Sequence, residues 1–249
     1  MLQLGKTTII TAVFIAFLAS AAPGLCGLLI TETDGAQSFV SEGKIKNVSE
    51  DPEDRPMILD MNKGTIVVLD NEKKTAAKGS LDEFCDMFEA ISNAMQESMA
   101  GVAEQGAAAM PGFASEPIDV RVEKVGSGGT IAGFQTVKYK VFANGEPYEE
   151  AWITTDKKLI RELGDMEKLG RFEACASKMM GPYTVEGTSE YKKLSEAGWL
   201  LKSVSMEYGE RETIVDVKSI EEKDIPDSEF EVPSGYEIKP LSTLMEGMY

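Results

Sequence analysis

Short runs of alternating apolar and polar residues fill the first third of the chain beyond residue 27, and turn residues break them at regular intervals. Residues 28–32 and 38–48 are the first two strand-like runs, followed by the polar turn Asp51-Pro52-Glu53-Asp54. Residues 56–61 and 65–69 flank Asn62-Lys63-Gly64, a hairpin signal. The polar residues 70–74 turn the chain again before residues 75–77, and the pattern predicts an antiparallel meander.

The period changes at Ser80. Ser80-Leu81-Asp82-Glu83 is a capping box, in which the hydroxyl accepts from the Glu83 amide and the Glu83 carboxylate reaches back. Leu81, Phe84, Cys85, Phe88, Ile91, Met95, Met99 and Val102 then recur at helical spacing and predict a helix to about residue 104. Residues 106–113, rich in small residues, Gly and Pro, read as a connector.

Strand signals resume over residues 118–125, with a glycine-rich turn expected at Gly126-Ser127-Gly128-Gly129. Residues 136–142 and 148–154 flank a second hairpin turn, 143–147. Alternation puts Val137, Tyr139 and Val141 on one face, and sets Tyr148, Glu150 and Trp152 opposite Ala151 and Ile153. Helical stretches follow over 156–163, 165–180 and 190–197, with Gly181-Pro182 as a stop. Residues 199–208 and 213–220 form a closing hairpin through Gly209-Glu210-Arg211, and Pro226, Pro233 and Pro240 mark an irregular C-terminal segment. No period of about 20 to 50 residues repeats. The class is α+β: one curved antiparallel sheet with a few helices packed against it.

The N-terminus stands apart from this pattern. Lys6 is the only charge before Glu32, an apolar stretch runs from Ile9 to Ala19, and Ser20, Ala21 and Ala22 precede Pro23-Gly24. These are the parts of an export signal. A retained anchor would need about 20 apolar residues, more than this stretch supplies. Cleavage is expected after Ala22 or after Gly27, which gives a signal peptide within residues 1–27, one domain over 28–239 and a C-terminal tail over 240–249. Leu25 and Pro23 stand where a lipoprotein signal wants a small and an aliphatic residue, so lipid anchoring at Cys26 is not expected. The mature chain is expected in the periplasm or outside the cell, in a Gram-negative-type envelope, and not as an integral membrane protein.

Charge and composition narrow the partners. The chain carries a net charge of −17 with 42 acidic residues, which repels phosphate backbones and argues against nucleic acid. Of three cysteines, Cys26 lies in or beside the signal. Cys85 and Cys175 are left as an even pair in an oxidising compartment, and a disulfide between them is expected, the alternative being two buried free thiols.

The absence of histidine excludes the usual Ser-His-Asp and Cys-His catalysis and His-ligated metal sites. No P-loop or GxSxG motif is present. Glu149 and Glu150 are adjacent carboxylates, but in a strand they point to opposite faces and would not act together. Asp51, Glu53 and Asp54 lack the glycine and terminal glutamate of a calcium loop. A non-catalytic protein without a cofactor is expected.

What remains is apolar surface. Twelve methionines follow Met1, several of them on the helices, and methionine adapts to ligands of varied shape. Ordinary core packing is the competing account of the same residues. The candidates for an apolar ligand cavity are Phe84, Phe88, Ile91, Met95, Met99, Tyr139 and Trp152.

The order of motifs is itself informative. Gly43-Lys44-Ile45-Lys46 lies in the opening strands, and the hairpin from Met57-Ile58-Leu59-Asp60 to Gly64-Thr65-Ile66-Val67-Val68-Leu69-Asp70 runs on to Lys73-Lys74. A Met-rich helix, the strand end Glu150-Ala151-Trp152-Ile153 and the segment from Ile225-Pro226-Asp227 to Pro233-Ser234-Gly235-Tyr236 complete the series. This resembles the LolA/LolB-like superfamily of periplasmic lipoprotein carriers, and most an uncharacterised branch of it. The resemblance spans most of residues 28–239. It implies an unclosed β-barrel, a strongly curved antiparallel sheet with helices on its concave side, where the carriers hold acyl chains. The expected function is therefore an exported carrier or binding protein for a lipid, acyl chain or other apolar ligand. The alternative is an envelope protein–protein interaction or structural module whose core is filled by its own side chains.

Overall fold

A computed structural model describes residues 26–51, 55–104, 118–177, 184–206 and 210–245. Among these residues six strands come first: β1 (Cys26–Glu32), β2 (Gln37–Ser41), β3 (Lys44–Val48), β4 (Met57–Asp60), β5 (Thr65–Asp70) and β6 (Thr75–Ser80). The helix α1 (Leu81–Glu104) separates them from β7 (Val120–Ile131), β8 (Phe134–Ala143) and β9 (Glu146–Thr154). Helices α2 (Lys157–Leu163), α3 (Met166–Ser177) and α4 (Ser189–Ala197) come next, and β10 (Trp199–Ser205), β11 (Glu212–Asp224) and β12 (Glu237–Pro240) close the fold.

All twelve strands form one curved sheet in the order β12-β6-β5-β4-β3-β2-β1-β11-β10-β9-β8-β7. β1 stands between β2 and β11 and joins the two meanders. The sheet is unclosed, with β7 and β12 at its edges. Every neighbouring pair is antiparallel except β12 with β6.

The turns show which residues set the register. Asn144-Gly145 has positive φ at both positions (51° and 85°), as a two-residue hairpin of this twist requires. The same geometry recurs at Glu42-Gly43 (49° and 76°) and Ala132-Gly133 (48° and 88°). The run 38–48, expected as one strand, is therefore a hairpin folded at Glu42-Gly43.

Gly126-Ser127-Gly128-Gly129 is not a turn. It lies inside β7, which carries register shifts at Lys124/Gly126 and Ser127/Gly129. Its glycine at 128 makes room for a neighbour: a Cβ there would sit 2.6 Å from both Thr136 Oγ1 and Trp152 Cδ1. Gly128→Ala is expected to destabilise the fold by about 1–3 kcal/mol, the usual cost of overpacking. Chemical denaturation at neutral pH measures it, and an unchanged midpoint would refute the packing role.

On the helical side, Ser80 and Glu83 form the capping box, with the Ser80 amide donating to Glu83 (2.7 Å) and the Glu83 amide to Ser80 Oγ (3.0 Å). Cys85 of α1 is bonded to Cys175 of α3. Phe84 stacks on Phe172 with ring centroids 5.2 Å apart, so α1 and α3 share an aromatic contact beside the disulfide. These residues join Leu28, Ile30, Val40, Leu59 and Leu201 in the main core, so α1 and α3 cover the sheet face that carries those strand residues. The stretch expected as nearly continuous helix breaks at Gly164 (φ 82°), where a Cβ would come within 2.6 Å of Gly43 Cα. α2 thus docks tightly on the β2–β3 turn.

The C-terminal segment is more regular than its prolines suggest. Phe230, Val232 and Tyr236 pack on Ile58, Val67, Leu69 and Ala76, a cluster separate from the main core. Lys44 pairs with Asp227 (2.6 Å) and Lys46 with Glu229 (2.9 Å), which pins this strap to β3. β12 then adds to β6, and Leu241 is buried in the main core. The export signal and the 106–113 connector lie outside the described residues, except that Cys26 and Gly27 belong to β1.

Candidate functional site

A cavity of about 470 Å³ lies between the sheet and the helices. Ile30, Val40, Leu59 and Ile153 line it from the strands, and Met166 and Leu169 from α3. Alternation in the strands delivers this wall, because the residues between them face the other way. The volume is within the range of small-molecule sites, which are mostly apolar with a few placed polar groups.

The polar groups gather around Glu149. This side chain is almost wholly buried, and its carboxylate accepts from Ser203 Oγ (2.5 Å) and the Tyr191 hydroxyl (2.7 Å). Glu186 accepts from the Tyr148 hydroxyl (2.5 Å) and lines the same cavity. Alternation alone would turn Tyr148 away with Glu150 and Trp152. A shift in the β8–β9 register between Val141 and Phe142 brings its ring to the second apolar cluster instead. On α3, Glu173 accepts from Ser195 Oγ of α4 (2.8 Å).

Burial raises the pKa of Glu149, against the hydrogen bonds from Ser203 and Tyr191 and with a further push from Glu186. Burial by its neighbours also raises Glu173, against the hydrogen bond from Ser195, although the residue as a whole keeps an exposed side. Glu32, at the end of β1, is raised by burial and by Asp34. Glu150 behaves oppositely on the other face. Burial pushes it up, but hydrogen bonds from Lys138 and Arg211 outweigh this and hold it below the usual carboxylate range. The adjacent glutamates thus sit in separate environments, as their alternation requires.

A second cavity of about 720 Å³ opens between α1, α3 and α4, with Cys85 and Asp86 on one side and Arg171 and Cys175 on another. Met166, Gly170, Ala174, Lys192 and Ser195 belong to the walls of both cavities. Gly170 marks the gap between them, since a Cβ there would meet only Ser195 Cβ, at 3.9 Å.

The residues expected at an apolar cavity are distributed more widely. Phe84 and Phe88 are buried in the main core, with their rings 4.3 Å apart, and Ile91 packs against that core. Tyr139 packs in the second cluster, beside Ala151 and Ile153 of the cavity wall. Trp152 is on the opposite face, with Lys138 Nζ 4.5 Å from its ring centroid. Met95 and Met99 lie in α1, and their side chains fall outside the described residues. The residues that do line the cavity's polar end, Glu149, Glu173, Glu186 and Tyr191, carried no motif in the sequence.

Among the described residues, no group of three or more His, Cys, Asp or Glu side chains could hold a metal ion. No helix among them is long and apolar enough to cross a membrane. A family model described as a domain of unknown function, DUF4412, matches residues 90–236. None of the curated proteins compared with the chain matches it.

Proposed function

The chain belongs to the DUF4412 family, and we propose that it is an exported, non-catalytic carrier or binding protein for a lipid, acyl chain or other apolar ligand. The observation that carries this reading is the cavity of about 470 Å³ with walls of Ile, Val, Leu and Met. An unclosed curved sheet with a helix layer on one face is also the arrangement that the LolA/LolB-like resemblance implies, and on that likeness the helices occupy the concave side. Fold likeness alone does not carry function, so the cavity is the stronger support.

Export to the periplasm fits the leader-like N-terminus and the Cys85–Cys175 disulfide, since such bonds persist in oxidising compartments. Cleavage after Ala22 would leave β1 whole, whereas cleavage after Gly27 would remove residues that pair with Asp224 and Lys223. The ligand would reach the inner cavity through the outer one, past Gly170 and Ser195.

The test is native purification followed by solvent extraction and mass spectrometry, with added acyl probes titrated into the delipidated protein. A stoichiometric co-purified or added apolar ligand is expected. Absence of both would overturn the carrier reading. One observation favours the alternative of an envelope interaction module: Phe84, Phe88 and Phe172 already fill the space beneath the first turns of α1. Hydrogen exchange over residues 81–104 separates the two, because a self-filled module would show strong protection that no ligand changes.

A further inference from the structure

We propose that the ligand is a cationic amphiphile, an aliphatic chain with an amine or quaternary ammonium head, bound with its head against Glu149 and Glu186. This rests on the carrier reading above and goes further, because it fixes the chemistry of the head group.

The first support is the sign of the wall. Among the described residues, its charged side chains are Glu32, Glu149, Glu173 and Glu186 against the cation Lys192. A carboxylate or phosphate head placed there would face like charge, whereas an ammonium would meet opposite charge.

The second support is independent of charge and concerns donors. A hydroxyl has one proton to give. Tyr191 and Ser203 both donate theirs to Glu149, Tyr148 donates to Glu186, and Ser195 donates to Glu173. Ser38, farther along the wall, donates to Asn47 Oδ1. The hydroxyls that would ordinarily grip an anionic head are thus committed to protein carboxylates. Among the described residues, Lys192, the Asn47 amide and the Trp199 indole are the side-chain donors left in the wall, against carboxylate oxygens that can each accept again. The polar end of the cavity is therefore acceptor-rich, which suits a head that donates or carries positive charge. Burial of Glu149 beside Glu186 adds to this, since a cation would relieve the cost of holding both ionised.

The experiment uses the oxidised mature protein and three probes of one chain length, decyltrimethylammonium, decanol and decanoate, titrated by calorimetry at pH 7 below their micelle concentrations. The ammonium is expected to bind at least about tenfold more tightly than decanoate, with decanol between them. In the Glu149→Gln/Glu186→Gln variant the ammonium should fall to the affinity of decanol, while decanol itself is unchanged. Decanoate binding as tightly as the ammonium, or more tightly, would overturn the cationic assignment and leave the carrier reading standing. Failure of all three probes would overturn the carrier reading and this assignment with it. The three-probe comparison on the wild-type protein decides between these outcomes even if the double variant does not fold.

Discussion

Replacing Cys85 and Cys175 together by alanine is expected to lower the free energy of unfolding by about 4–5 kcal/mol in the chain-entropy account. The two cysteines are 90 residues apart, and the loop they close contains most of α1, β7, β8, β9, α2 and most of α3. Opening so long a loop frees the unfolded chain far more than it alters the folded one. In the folded state each side chain is only 6% exposed, and the Phe84–Phe172 stack and the Arg171–Asp82 ion pair (2.6 Å) still hold α1 to α3. The variant should therefore keep its fold but unfold at much lower denaturant, with little change in the secondary-structure signal beforehand. Equilibrium unfolding of the oxidised protein and the double variant measures the difference. A loss below about 1 kcal/mol would mean that the unfolded chain is already restricted without the bond.

The pairing of those cysteines was legible in the sequence because Cys85 and Cys175 were the even pair left once Cys26 was set aside with the N-terminal segment. The same is true of the elements whose signals are local. Asn144-Gly145 announces its hairpin by residue type, and Ser80 to Glu83 announces the start of α1 by spacing. Glu42 gave no such warning, since a glutamate at positive φ is an uncommon choice and the apolar pattern runs on through it. Gly126 to Gly129 misled for the opposite reason. These residues look like a turn, but the glycine at 128 answers to the bulk of Trp152 two strands away. β12 was hidden by Pro240 and by a parallel partner 162 residues earlier, as the pairing of Glu237 with Thr75 shows.

The candidate site divides along the same line. Alternation correctly separated Glu149 from Glu150, and the structure gives them unlike partners. It could not show that Tyr191 and Glu173, from two helices, would meet the sheet at Glu149's side, because helix docking joins residues with no shared local pattern. A β-bulge then reversed Tyr148 against its own alternation. Polar cavity walls assembled from a strand, a loop and two helices leave no contiguous signature.

Gly170→Leu is expected to weaken binding of a decyl-chain probe by about thirtyfold while leaving the protein at least as stable as the wild type. The position is a helix interior with open space beside it, since its nearest neighbour for an added Cβ is Ser195 Cβ at 3.9 Å. Filling it removes the helix penalty of glycine, worth roughly 0.5–1 kcal/mol relative to alanine. The leucine side chain would also occupy the gap shared by the inner and outer cavities. Displacing two or three methylenes of a bound chain at about 0.8 kcal/mol each costs roughly 2 kcal/mol, which is the stated factor in Kd. Gly170→Ala supplies the control: it should give the gain in stability and leave binding nearly unchanged, because a methyl group leaves the gap open. Calorimetric titration and thermal unfolding of the three proteins test both halves together. If Gly170→Leu gains stability and binds the probe as the wild type does, the chain does not pass or occupy this gap, and the cavity is a packing defect that a side chain can fill. If binding falls only in the leucine variant, the same void that weakens the core is the one that holds the ligand.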